Sequence, residues 1–123
     1  MYRLMIVGLG GALGAMGRYS ISMLPIKTGF PWLTLMTNFI GSLLIGFIAG
    51  IGVQNGMSKE WELFWKTGIC GGFTTFSAFS LEAWRLLESG KTFMGMIYIL
   101  LSVMLSITGA AAGQYFGRKL MQA

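Results

Sequence analysis

Long apolar runs joined by short charged links leave this chain few folds to choose from. Runs over Leu4–Leu24, Trp32–Val53, Trp61–Leu87 and Thr92–Phe116 each reach the roughly 20 residues a helix needs to cross a bilayer. Mean hydropathy is +0.69, and only 11% of the 123 residues are charged. The pattern predicts an all-α membrane protein of four transmembrane helices, a single domain over residues 1–123, with membrane lipid as its surroundings. No soluble catalytic domain fits, so no enzyme is expected. The first run is followed by Arg18–Tyr19 and further spans, so it reads as a helix that stays and not as a cleaved signal peptide.

Composition removes other classes. Nine Lys and Arg against four Asp and Glu give a formal charge of +5, which anionic headgroups account for. There is no basic run, no zinc-binding spacing and no RNA-binding aromatic motif, so nucleic acid is not an expected partner. Cys70 is the only cysteine, which leaves no intrachain disulfide and a packing role. Gly8–Gly14 (GLGGALG) invites comparison with a dinucleotide fingerprint, but Leu13 stands where the third glycine belongs and no strand precedes it. No nucleotide site is expected.

The third run carries the unusual stretch, TGICGGFTTFSAFSLEAW from Thr67 to Trp84. Gly71 and Gly72 are followed by Thr74, Thr75, Ser77 and Ser80, with Phe73, Phe76 and Phe79 at three-residue steps. Paired glycines and a run of hydroxyls are a poor recipe for continuous helix. Backbone that leaves the helix at membrane depth must be buried in protein or line a cavity, because lipid cannot satisfy it. The third helix is therefore expected to break mid-membrane near Gly71–Ser77 and present carbonyls, hydroxyls and aromatic edges to an ion. The alternative is a glycine kink packed on a neighbour and capped by its own hydroxyls.

The other runs contribute polar faces. Gly10, Gly14 and Arg18 lie four apart, and small residues at that spacing let helices approach closely. Arg18 either snorkels to the headgroups or draws anions toward a vestibule. Asn38 opens a small and polar face through Ser42, Gly46 and Gly50; its amide either joins helices or points into a pore. Tyr98, Ser102, Ser106 and Ala110 follow at four-residue steps, beside a packing face of Gly109, Gly113 and Gly117. The hydroxyls either fold back on the preceding turn or line a path.

The charge balance bears on assembly. The side holding both termini carries Arg3, Lys59, Lys66, Arg118 and Lys119; the other carries Arg18, Lys27, Arg85 and Lys91. Five against four gives the positive-inside rule no grip. A chain this small also has little room to enclose a pathway alone. Both points favour a homodimer, and an antiparallel, dual-topology pair would set the two breaks face to face. Neutral donors and ring edges suit a small anion. Two carbonyls from each subunit would offer four oxygens to a hard monovalent cation. Two competing readings remain: a four-helix proton-coupled drug or cation exporter, which needs a carboxylate the first run lacks, and a non-transporting membrane scaffold.

GGALGAMGRY, the Asn38–Phe39–Ile40–Gly41 stretch and above all GGFTTFSAFS closely resemble the CrcB/Fluc family of fluoride channels, over essentially the whole chain. The resemblance implies passive, fluoride-selective conduction that lowers cytoplasmic fluoride, in a multi-pass protein of the bacterial inner membrane. It also implies an antiparallel homodimer with two pores and a central structural sodium ion. Phe76 and Phe79 then resemble the paired aromatics that face fluoride, Asn38 the pore amide and Arg18 the basic vestibule residue. Gly71 and Thr74 resemble the carbonyl ligands of sodium, Thr75 and Ser77 belong to the same segment, and Tyr98, Ser102 and Ser106 resemble the polar track. Ala110 stands where many relatives carry threonine, and Ala78 replaces a common threonine or serine; the first departure shortens the expected track.

Overall fold

A computed structural model describes every residue from Met1 to Ala123. Helices α1 (Tyr2–Ser22), α2 (Trp32–Asn55) and α6 (Thr92–Gln122) are continuous, and these are the three helices long and apolar enough to cross a membrane. The remaining crossing is assembled from pieces. A short α3 (Lys59–Glu62) runs into a π-helical segment, Leu63–Cys70, then into α4 (Gly71–Phe73); after an interruption, α5 covers Phe76–Glu88. The result is a bundle of four helical rods with one of them bent.

Two intimate pairs build the bundle: α2 on α6, and α1 on the π-helical segment and α4. Both are made by glycine. A Cβ on Gly46 would strike the Ala110 carbonyl, and one on Gly113 would strike the Leu43 carbonyl, so α2 and α6 meet backbone to backbone. Across the other pair, Gly14 abuts the Ile69 carbonyl and Gly72 the Gly11 carbonyl. Apolar tails offer helices little mutual attraction in lipid, so this close approach supplies the dispersion and packing that hold such a bundle. The packing faces read from Gly10/Gly14 and Gly109/Gly113/Gly117 are thus the ones used.

The core inside the bundle is small: Leu35, Phe79, Ala83, Leu86 and Tyr98 cluster where α2, α5 and α6 converge. Leu4, Leu9, Leu13 and Met16 on α1 and Leu100, Met104 and Ile107 on α6 stay exposed, the arrangement of side chains that face lipid. Outside the apolar zone, the Tyr2 hydroxyl donates to Glu60 at 2.8 Å and Arg3 lies 3.7 Å from the same carboxylate. That hydrogen bond, more than the arginine, holds the Glu60 carboxyl below its ordinary range.

The interruption falls at Thr74–Thr75, inside the Gly71–Ser77 stretch where a break was expected, while the paired glycines stay helical. Gly72 is spent on contact with α1 and needs no irregular backbone there. The π-helical turns before it were not foreseen.

The glycine contacts yield a paired prediction. Gly113→Val should cost about 3 kcal/mol, because neither backbone can yield. Gly8→Ala, whose Cβ would meet nothing within 4 Å, should stay within about 1 kcal/mol of the parent. Denaturant unfolding of the two variants in detergent measures both.

Candidate functional site

The interruption is two residues of extended backbone, Thr74 (φ −81°, ψ 157°) and Thr75 (φ −147°, ψ 115°). Its exposed polar groups are answered from three directions. Thr74 N and Oγ1 both donate to the Cys70 carbonyl at 3.0 Å, closing the upstream half. The Thr75 hydroxyl accepts from Ala78 N at 3.1 Å and so caps α5. Thr75's own peptide groups turn to α2: its N–H donates to Asn38 Oδ1 at 2.8 Å, and its carbonyl accepts from Asn38 Nδ2 at 3.1 Å. Arg18 reaches in from α1, with Nε donating to the Gly72 carbonyl at 3.3 Å.

Asn38 therefore performs the helix-joining role, and only one of its two amide hydrogens is used inside the chain. It also lines a hollow of about 270 Å³ with Ser42, Gly71, Thr75, Phe76 and Ser106. On the other side of the break, Arg18 borders a smaller hollow of about 100 Å³ with Thr34, Thr37 and Thr75.

The two phenylalanines part company. Phe79 is 8% exposed and sits in the core, its ring 5.3 Å from that of Tyr98. Phe76, at the first position of α5, is 79% exposed, although its centroid is 5.5 Å from that of Phe79. Ser77 is exposed, and its hydroxyl lies 3.3 Å from that of Thr75. Ser80 folds back on the Phe76 carbonyl.

On α6, Tyr98 is fully buried and Ser102 is 6% exposed, yet neither Tyr98 Oη nor Ser102 Oγ has a partner within hydrogen-bond distance, although Thr34, Glu82 and Ser102 face the Tyr98 hydroxyl from farther off. The serine track does not fold back on its own helix at Ser102. Ser106 opens into the larger hollow. At the next step Ala110 is pressed against Gly46 in a backbone contact between the helices, so the polar line ends at Ser106.

Sequence reasoning missed the Thr34–Glu82 bond, in which Thr34 Oγ1 donates to Glu82 Oε1 at 2.7 Å, and the burial of Thr37. Thr34, Thr37, Asn38 and Gly41 follow at helical spacing, and that face carried the missing signal.

The sodium expectation needs correcting. No group of three or more His, Cys, Asp or Glu side chains gathers anywhere in the chain to hold a metal. The carbonyls of Cys70, Gly72 and Thr75 accept from Thr74, Arg18 and Asn38. Metal binding and a structural sodium ion do not stand.

Apolar rods, one of them interrupted, around partnerless buried hydroxyls define a multi-pass membrane protein. Comparison with known proteins places it more narrowly. The family described as CrcB-like protein, Camphor Resistance (CrcB), matches residues 5–114, and the chain belongs to that family. A protein of Erythrobacter litoralis is 44% identical over 122 residues, covering 92% of this chain and 90% of its own. One from Rhizobium meliloti is 46% identical over 117 residues (92% and 94%), and one from Methanococcus vannielii 45% over 114 residues (92% and 90%). All three bear the name fluoride-specific ion channel FluC.

Removing the brace tests its weight. Asn38→Leu leaves both Thr75 peptide groups without partners and should lower stability by about 1–3 kcal/mol, read as an earlier unfolding midpoint in detergent.

Proposed function

We propose that this chain is a fluoride-specific channel that lets fluoride leave the cytoplasm passively. The observation that carries the reading is the buried, partnerless pair Tyr98 Oη and Ser102 Oγ, beside Phe79 and in line with the hollow at Ser106. Two hydroxyl donors without protein acceptors are costly unless something accepts from them. A dehydrated anion does, and the positive ring edges of Phe79 and Phe76 complete such surroundings. The names of the relatives supply the identity of the anion.

In this reading Asn38 offers its free amide hydrogen to the ion, Thr75 and Ser77 add hydroxyls at the break, and Tyr98, Ser102 and Ser106 form the track. Arg18 supplies positive charge to the vestibule. Conduction breaks no bond, and the chain is not an enzyme. A proton-coupled exporter is disfavoured because α1 carries no Asp or Glu.

The working unit we infer is an antiparallel, dual-topology homodimer of one four-helix transmembrane domain per chain, in the bacterial inner membrane. Support comes from the open hollow beside Phe76, whose Asn38, Ser42, Thr75 and Ser106 lining lipid would not satisfy and a second protein surface would cover. The near-even charge of the two sides permits insertion either way.

Liposomes holding the purified protein should release fluoride, and not chloride, without a proton gradient. The double variant Phe76→Ile/Phe79→Ile should abolish that flux while eluting at the parent's size; undiminished flux would sink the aromatic assignment. A C-terminal reporter in cells should be found on both membrane faces, and a signal from one face alone would exclude dual topology.

A further inference from the structure

A second hollow, of about 370 Å³, lies against α2 beyond the first, lined by Ala49, Gly52, Val53, Met57, Glu62 and Lys66 among others. The two hollows share a seam. On α2, Asn38, Ser42 and Ile45 line the first and Ala49 and Gly52 the second, at alternating steps of four and three that keep one helical face. On the third rod, Lys66 lines the second hollow and Cys70, one turn on, the first.

Glu62 and Lys66 are the only charged residues lining the second hollow. The Glu62 carboxylate lies between two lysines, with Lys66 Nζ at 3.0 Å and Lys59 Nζ at 3.7 Å. Within the lining Glu62 offsets Lys66, but with Lys59 and the adjoining Arg3–Glu60 pair three cations stand against two carboxylates, which leaves this end of the seam positive. The Lys66 side chain is part-buried and fixed by its ion pair.

We infer that Lys66 is a cationic collar that draws small anions into this seam and so sets the conduction rate at low anion concentration, with Glu62 holding its ammonium in place and moderating its charge. The inference rests on the channel reading above. The collar needs no direct contact with a dehydrated ion; it raises the local anion concentration at the mouth, an effect that salt screens.

The test is fluoride efflux from vesicles of neutral phospholipid, at low fluoride, in a background salt of an impermeant organic anion. Between about 10 mM and about 1 M salt the screening length falls from about 30 Å to about 3 Å. At low salt, Lys66→Gln should slow efflux about two- to fivefold and Glu62→Gln should speed it by a similar factor, with Lys66→Arg close to the parent. At high salt the four proteins should converge. Parental flux from Lys66→Gln at low salt would overturn the collar, and so would a deficit that persists at high salt, since that marks a packing defect. A parent protein that passes no fluoride at all would overturn the channel reading and the collar with it.

Discussion

The structure turns on one side chain meeting one peptide unit. Asn38 accepts from the Thr75 N–H and donates to the Thr75 carbonyl, so a piece of α2 replaces the hydrogen bonds the third rod gives up. Without such a donor and acceptor at that depth, extended backbone in lipid would be prohibitively costly. With it, α4 can stop and α5 can start afresh under its own threonine cap. Everything placed by α5 depends on that restart: Phe79 in the core against Tyr98, Phe76 outside it, and Glu82 beside Thr34.

The interruption also settles how polar groups are shared among the rods. Its upstream half is closed by Thr74 and by Arg18 from α1. Its downstream half is closed by Asn38 and Thr75. What remains without partners lies across from it on α6, at Tyr98 and Ser102. The protein thus answers the Cys70, Gly72 and Thr75 carbonyls from within the chain and leaves side-chain hydroxyls to spare, which suits a passing anion.

Much of this was legible in the residues, and the rest was hidden for identifiable reasons. Hydropathy marks the crossings, and glycines four apart mark the faces that touch, since both are local properties. That the third rod is irregular could be read from its glycines and hydroxyls. Its stretch, Gly71–Ser77, could be read as well, but not which residues within it give up the helix, because Gly72 answers to Gly11 across a helix interface and leaves the extended backbone to two threonines. The π-helical turns leave no sequence period to detect. Tyr98, Ser102 and Ser106 announce themselves by spacing, but that two of them lack partners depends on what α2 and α5 place nearby. Arg18 pairs with a carbonyl 54 residues away, a relation that no local pattern encodes. The sodium site was expected from the break's carbonyls and from the family resemblance, and no metal-holding group of side chains gathers in the chain.

Glycine seams have a mechanical corollary. Because α2 and α6 touch through main-chain atoms at Gly46 and Gly113, neither can spin about its axis without driving a flanking side chain into the other's backbone. The same lock holds α1 to the rod that begins at Lys59, through Gly14 and Gly72. The bundle therefore holds two stiff blades, α2 with α6 and α1 with the upstream half of the third rod, while α5 packs on the first of them, so a tilt between the blades is taken up at the break where Asn38 grips Thr75.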